Sequence, residues 1–169
     1  MTLTDLNSLP VEEFTRIVGP VFEHSPWIAE TAWLSRPFAN VELLHGALCQ
    51  LARDANERQK LALIRAHPDL VGRAALAGTL TRESTGEQTS AGLNQLTTEE
   101  IATFQKYNAA YREKFGFPFV ICARRNNQEA ILAGFEQRLH NSSEQEVAAA
   151  LDEICKIAEL RLRDLITED

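Results

Sequence analysis

Apolar residues recur along this chain at helical intervals. From Val41, the positions Leu43, Leu44, Ala47, Leu48 and Leu51 follow an i, i+3, i+4 rhythm that predicts a buried helix face, and Leu61 to Arg65 continue it. Near the start, Ser8 and Pro10 precede Phe14, Ile17 and Val18 at the same spacing. Ser25-Pro26 predicts another helix start, with serine as the cap and proline in the first helical position. Thr97 and Glu100 have the spacing of a capping box, with Ile101, Phe104, Tyr107 and Tyr111 forming the face behind it. A further helix is expected over 128–139. The clearest pattern closes the chain: Ser143 and Glu146 are spaced as a capping box ahead of Val147, Leu151, Ile154, Ile157, Ala158, Leu160, Leu162 and Leu165. One stretch differs. Phe115-Gly116-Phe117-Pro118-Phe119-Val120-Ile121-Cys122 is a compact apolar run that reads as extended, and Pro118 argues against a central strand. No repeat, low-complexity tract or linker interrupts the pattern. The expected fold class is all-α: a single compact multi-helix domain over residues 1–169, with one short extended apolar segment near 115–123.

Composition narrows the function classes. A chain of 169 residues, 44% apolar and 24% charged, can bury a core without metals or disulfides. Seventeen basic residues against 24 acidic ones give a net charge of −7, and no basic stripe is visible. Phosphate binding needs clustered Lys and Arg, so a nucleic-acid partner is not expected. Cys49, Cys122 and Cys155 are odd in number, far apart and without C-x-x-C spacing, which fits core thiols in a reducing cytosol. His24, His45 and His140 form no H-x-x-x-H pair, so no metal site is expected. The N-terminus MTLTDLNSLPVEEF has no signal-peptide pattern, and no segment approaches a membrane span. The ending Thr167-Glu168-Asp169 is not a peroxisomal address. A cytoplasmic protein without a membrane partner is the expectation.

The candidate chemistry starts at Ala66-His67-Pro68-Asp69. A residue before proline is steered out of the α region, so His67 should end the preceding helix. Pro68 suits the first position of a new helix, with Asp69 near its N-terminus, and the imidazole would then sit where local potential disfavours imidazolium. Such a histidine can act as a neutral base or a hydrogen-bond donor, or simply cap a turn. Downstream, Ser84-Thr85-Gly86-Glu87-Gln88 lies in a polar, glycine-containing connection. Glu87 and Gln88 could hydrogen-bond a polar heterocycle while backbone at Gly86 approaches it, or the stretch is a solvated loop. Phe119, Val120, Ile121, Cys122 and Ala123 could wall a dry pocket whose unpaired backbone reads the amides of a planar ring, or else pack a core. Arg161 falls on or beside the apolar face of the last helix, either snorkelling or held for a polar or anionic ligand. Arg163 should face solvent.

Two specific resemblances compete. J-domain co-chaperones carry His-Pro-Asp between helices, and Lys60-Leu61-Ala62-Leu63 is similar to their preceding segment. Here three residues intervene where that family has two, which rotates a helical face by about 100°. The second resemblance runs nearly end to end. It comprises Leu6-Asn7 and Phe14, then Phe22-Glu23-His24-Ser25-Pro26-Trp27, Arg36-Pro37-Phe38 and Ala66-His67-Pro68-Asp69-Leu70. It continues through Ser84-Thr85-Gly86-Glu87-Gln88, Ala91-Gly92-Leu93, Tyr111-x-x-Lys114-Phe115-Gly116-Phe117-Pro118-Phe119-Val120, Arg138-Leu139 and Arg161-Leu162. This ordered set resembles the 2-oxo-4-hydroxy-4-carboxy-5-ureidoimidazoline (OHCU) decarboxylase family of urate breakdown.

That resemblance implies an all-helical, cofactor-free homodimer that forms (S)-allantoin from a small-molecule substrate. It implies that His67 is the proton donor or general acid/base. It places Pro68, Ser84, Thr85, Gly86, Glu87, Gln88, Phe119, Val120, Ile121, Cys122 and Ala123 around the substrate, with Glu87 and Arg161 completing the catalytic set. The Arg124-Arg125 pair is less typical of the family. A non-catalytic helical interaction domain is the remaining alternative.

Overall fold

The computed structural model describes residues 1–167, so the terminal tripeptide considered above runs past the described residues. Its helices are α1 (Leu3–Ser8), α2 (Val11–Val18), α3 (Trp27–Ala32), α4 (Val41–Asp54), α5 (Glu57–Ala66), α6 (Arg73–Leu76), α7 (Arg82–Ser90), α8 (Thr98–Phe115), α9 (Gln128–Arg138) and α10 (Ser143–Leu165). Short 3₁₀ turns occur at Gly19–Val21, Trp33–Ser35 and Ala123–Arg125. Among the described residues, β pairing is confined to an isolated bridge between Thr2 and Thr167. The all-α expectation holds. No helix among the described residues is long and apolar enough to cross a membrane.

The chain sorts into two compact units, one of residues 1–66 with the chain from 154 onward, the other of residues 67–153. In the first, Leu6, Phe14, Val18, Phe22, Ile28, Leu44 and Leu48 are fully buried, together with Ala158 and Leu162 of α10. Leu43, expected on the buried face of α4, is instead 56% exposed; burial in α4 follows Leu44, Leu48, Cys49 and Ala52. Pro26, rather than Ser25, is the cap of α3, and the Ser25 hydroxyl donates to the Glu23 carbonyl at 3.1 Å. The Asn7 amide clamps Phe38 in both directions, donating to its carbonyl at 2.8 Å and accepting its N–H at 2.9 Å.

In the second unit, the Thr97–Glu100 capping box forms as expected and starts α8. Gly116 ends it at φ 75°, a left-handed conformation that glycine adopts without penalty. The box expected of Ser143 and Glu146 forms one residue earlier: the Ser142 hydroxyl accepts from Gln145 N–H and the Gln145 side chain accepts from Ser142 N–H. Glu146 is thereby released to the interior, where it is fully buried. Phe104, Tyr111, Phe117, Phe119 and Phe135 form an aromatic cluster, with Phe119 stacked on Phe135 at 3.8 Å between centroids.

Candidate functional site

Helix α5 stops at Ala66, where the X-Pro restriction on His67 requires it to. His67 is 6% exposed, deeply placed for a histidine. Pro68 does not open the next helix. Residues 68–72 form a turn instead, and α6 begins only at Arg73. The chain bends too sharply here for a helix. Gly72 N–H closes on the Asp69 carbonyl at 3.3 Å, and Val71 sits at φ 52°. A Cβ on Gly72 would lie 2.6 Å from that of Asp69, so only glycine fits. The helix-dipole effect expected on His67 therefore has no helix at Pro68 to supply it. Asp69 serves another purpose: both of its carboxylate oxygens accept from Arg112 Nε at 3.0 Å.

The stretch read as a connection, Ser84 to Gln88, is helical. Thr81 caps α7 by accepting from Ser84 N–H, and the Thr85 hydroxyl donates back to the Thr81 carbonyl at 2.9 Å. These local bonds win over the low helix propensity of Gly86. Helix geometry then divides the expected residues. Ser84 and Gln88, one turn apart, are buried with Glu87 half-buried beside them, while Thr85 and Gly86 are exposed. The Gln88 amide holds the His67 turn: its carbonyl accepts from Val71 N–H at 3.0 Å and its NH₂ donates to the Asp69 carbonyl at 3.4 Å. Asn108 of α8 adds a bond to the Leu70 carbonyl at 2.8 Å.

The third expected element, Phe119 to Ala123, belongs to no helix or sheet among the described residues as far as Cys122, which is extended, and Ala123 opens a 3₁₀ turn. Phe119, Val120, Cys122 and Ala123 are buried and Ile121 is partly open. Burial pushes the Cys122 thiol above its ordinary pKa, with Glu153 and Glu87 adding to the shift and Arg125 opposing it. The 3₁₀ turn that follows, Ala123–Arg125, packs against α7. So α7 touches both the turn that follows His67, through Gln88, and the 3₁₀ turn at the end of the apolar wall.

Arg161 lies in the first unit. It is 4% exposed and ion-paired to Glu23, itself 3% exposed, at 2.9 Å, and it donates to the carbonyls of Pro20 at 3.1 Å and Val21 at 3.4 Å. Arg163 is half exposed, as expected. A separate groove of about 1090 Å³ runs between α6 and α8; of the residues expected around a substrate, Pro68 alone borders it.

Sequence reading gave no role to Glu23, Asn108, Arg112, Arg138 or Glu153, and took Glu146 for a helix cap only. Glu23 and Arg138 stand inside the family-like motifs quoted above, which was the available signal. The others are paired over long sequence distances and left none.

The sequence model described as OHCU decarboxylase matches residues 7–163. A 2-oxo-4-hydroxy-4-carboxy-5-ureidoimidazoline decarboxylase of Amia calva is 44% identical over 98% of this chain and 95% of its own. A crystal structure of (S)-allantoin synthase superposes with a TM-score of 0.78 at 30% identity, over 98% of this chain and 54% of that one. A crystal structure of OHCU decarboxylase in the presence of (S)-allantoin gives 0.66 at 25% identity, over 82% of this chain and 89% of that one.

Proposed function

Since this chain belongs to the OHCU decarboxylase family, we propose that it converts 2-oxo-4-hydroxy-4-carboxy-5-ureidoimidazoline to (S)-allantoin in urate degradation, acting as a carboxy-lyase over residues 1–169. The observation that carries the reading is the position of α7, fastened by Gln88 to the His67 turn and packed against the end of the 119–123 wall. The J-domain resemblance is confined to the His-Pro-Asp tripeptide and an out-of-register Lys60–Leu63, and here Asp69 of that tripeptide is committed to Arg112.

The chemistry requires no external electron sink. The substrate carboxylate leaves a ring carbon beside a C=N bond, so the C–C bonding pair moves toward that imine as carbon dioxide departs. The imine nitrogen takes up one proton, the neighbouring ring carbon takes a second, and the 4-hydroxyl loses its own to become a carbonyl. Protonation on one face gives the S product. His67, buried and held by a fixed turn, is proposed to move that proton, either from the hydroxyl or to carbon. Positioned acid–base catalysis of this kind contributes about 10²–10⁴-fold.

Ser84, Thr85, Gly86, Glu87 and Gln88, with Pro68, are proposed to orient the ring and ureido group. Gln88 acts at least in part through the turn that it holds. Phe119 and its neighbours through Ala123 exclude water, which disfavours the ionised carboxylate relative to the transition state. Among the described residues, no protein group meets the N–H of Val120 or the N–H and C=O of Ile121, which leaves them for ligand amides. Arg161 is proposed to contact substrate, a role that rests on the resemblance alone. A full ion pair with the departing carboxylate would stabilise the ground state, so atoms that gain charge are the expected contacts.

A cytoplasmic homodimer is proposed on the same resemblance, and light scattering on the purified chain measures the assembly. Freshly generated substrate, followed by optical activity, tests the function. Rapid appearance of the S signal supports it; racemic product at the uncatalysed rate refutes it.

A further inference from the structure

An extended segment outside any sheet must satisfy its buried backbone by other means. Around Ile121 the partners are charged side chains. Arg138 Nη1 donates to the Val120 carbonyl at 2.6 Å, and Glu153 Oε2 accepts the Cys122 N–H at 2.8 Å. The Cys122 carbonyl is taken by Asn126 Nδ2 at 2.9 Å and by Arg125 N–H at 3.1 Å. Arg138 is itself immobilised. Its Nε meets Glu146 at 3.0 Å, its Nη2 meets the same carboxylate at 2.9 Å, and its guanidinium lies 4.4 Å from the Phe119 ring centroid. Glu146 is in turn held by Tyr111 Oη and by Asn141 Nδ2.

This arrangement has a geometric consequence. The peptides on either side of Ile121 are trans and planar, so each N–H points opposite to its C=O. With the Val120 carbonyl turned to Arg138, the Ile121 N–H must point away from Arg138. With the Cys122 N–H turned to Glu153, the Ile121 carbonyl must point away from Glu153. Ile121 is left with one donor and one acceptor that no protein group uses among the described residues, the complement of an amide or ureido edge. A one-residue slip of the segment would exchange these groups for others.

We propose that Arg138 and Glu153 are positioning residues: they hold the backbone on both sides of Ile121 so that its N–H and C=O read the ureido edge of the substrate. The inference rests on the decarboxylase reading and extends it to residues that touch no substrate.

Turnover, KM and enantiomeric excess are measured for the wild type, Glu153→Gln, Glu153→Ala and Arg138→Met, together with the ¹⁵N-resolved shift of the Ile121 amide on adding (S)-allantoin. Glu153→Gln keeps an acceptor for Cys122 N–H and should stay near wild type. Glu153→Ala and Arg138→Met should raise KM by about tenfold, the loss of one well-made hydrogen bond, lower the S excess and abolish the Ile121 shift. Wild-type KM, S excess and Ile121 shift in both folded variants overturn this inference while leaving the decarboxylase intact. A wild-type chain without stereospecific activity overturns the decarboxylase reading and this inference with it. If Glu153→Ala loses its near-ultraviolet dichroism, Glu153→Asp withdraws the acceptor by one methylene; wild-type KM in that variant overturns the proposal too.

Discussion

The side-chain carbonyl of Gln88 accepts the backbone N–H of Val71 at 3.0 Å, in a buried contact that ties α7 to the turn carrying His67. Val71 stands at φ 52°, a conformation that costs a β-branched residue about 1–3 kcal/mol and persists only where its surroundings enforce it. Gln88 supplies part of that enforcement, and its NH₂ steadies the Asp69 carbonyl two residues earlier. Gln88→Leu should lower stability by about 1–3 kcal/mol, because the buried Val71 N–H loses its partner. Turnover should fall more than tenfold, as expected when a catalytic group is misplaced by about 1 Å. Urea unfolding and the optical assay measure the two effects; unchanged turnover would detach the Gln88 contact from the chemistry.

Two glycines separate a tight turn from an ordinary helix. Gly72→Ala places a Cβ 2.6 Å from the Asp69 Cβ and should destabilise by about 1–3 kcal/mol through forced backbone shifts. Gly86→Ala meets nothing within 4 Å inside α7 and should stabilise by about 0.5–1 kcal/mol. Thermal melts that rank these variants the other way would contradict the turn at 69–72 and the helix at 82–90.

These two positions also show what the sequence could and could not convey. The end of α5 at Ala66 and the start of α8 at Thr97 depend on neighbouring residues, so local rules reach them. The helical state of 82–90 was hidden because its polar run carries no apolar period and contains Gly86. Ser142–Gln145 and Ser143–Glu146 are equally good capping boxes on paper. The choice is tertiary: Tyr111, Arg138 and Asn141 draw Glu146 inward. Asp69 likewise prefers Arg112, 43 residues away, to a helix N-terminus that the Gly72 turn prevents from forming. The three candidate segments were legible as chemistry, but the helical state of the middle one was not.

The Glu23–Arg161 pair is nearly dry, and its members are 138 residues apart in the chain. Removing either partner leaves a buried charge, so Glu23→Leu or Arg161→Met alone should cost about 3–5 kcal/mol. The double variant should recover much of that loss. If Arg161 contacts substrate, the refolded double variant remains inactive. Denaturant midpoints combined with optical assays separate the two roles: full activity in the double variant would make the pair purely structural.

Both tyrosines of the chain are held in the phenol form. Burial, then donation to Glu146, pushes Tyr111 well above its ordinary pKa, and donation to Glu136 raises Tyr107. A folded-state pKa above the unfolded value means that the stability contribution is complete below about pH 10 and is lost as pH rises beyond it, because the unfolded chain releases those protons first. Absorbance at about 295 nm should therefore lag behind free tyrosine, which titrates near pH 10, and then appear together with unfolding. A reversible signal from both tyrosines at the free value in the folded chain would contradict the Tyr111–Glu146 contact.

His67 is proposed to move the proton that sets handedness, and His67→Ala puts that role to the test. With the fold verified by circular dichroism, optical activity is followed on freshly generated substrate beside the wild type. Stereospecific formation of (S)-allantoin should fall by about 10²–10⁴-fold, and the residual product should approach a racemate. A folded variant that still delivers the S product at the wild-type rate would contradict it.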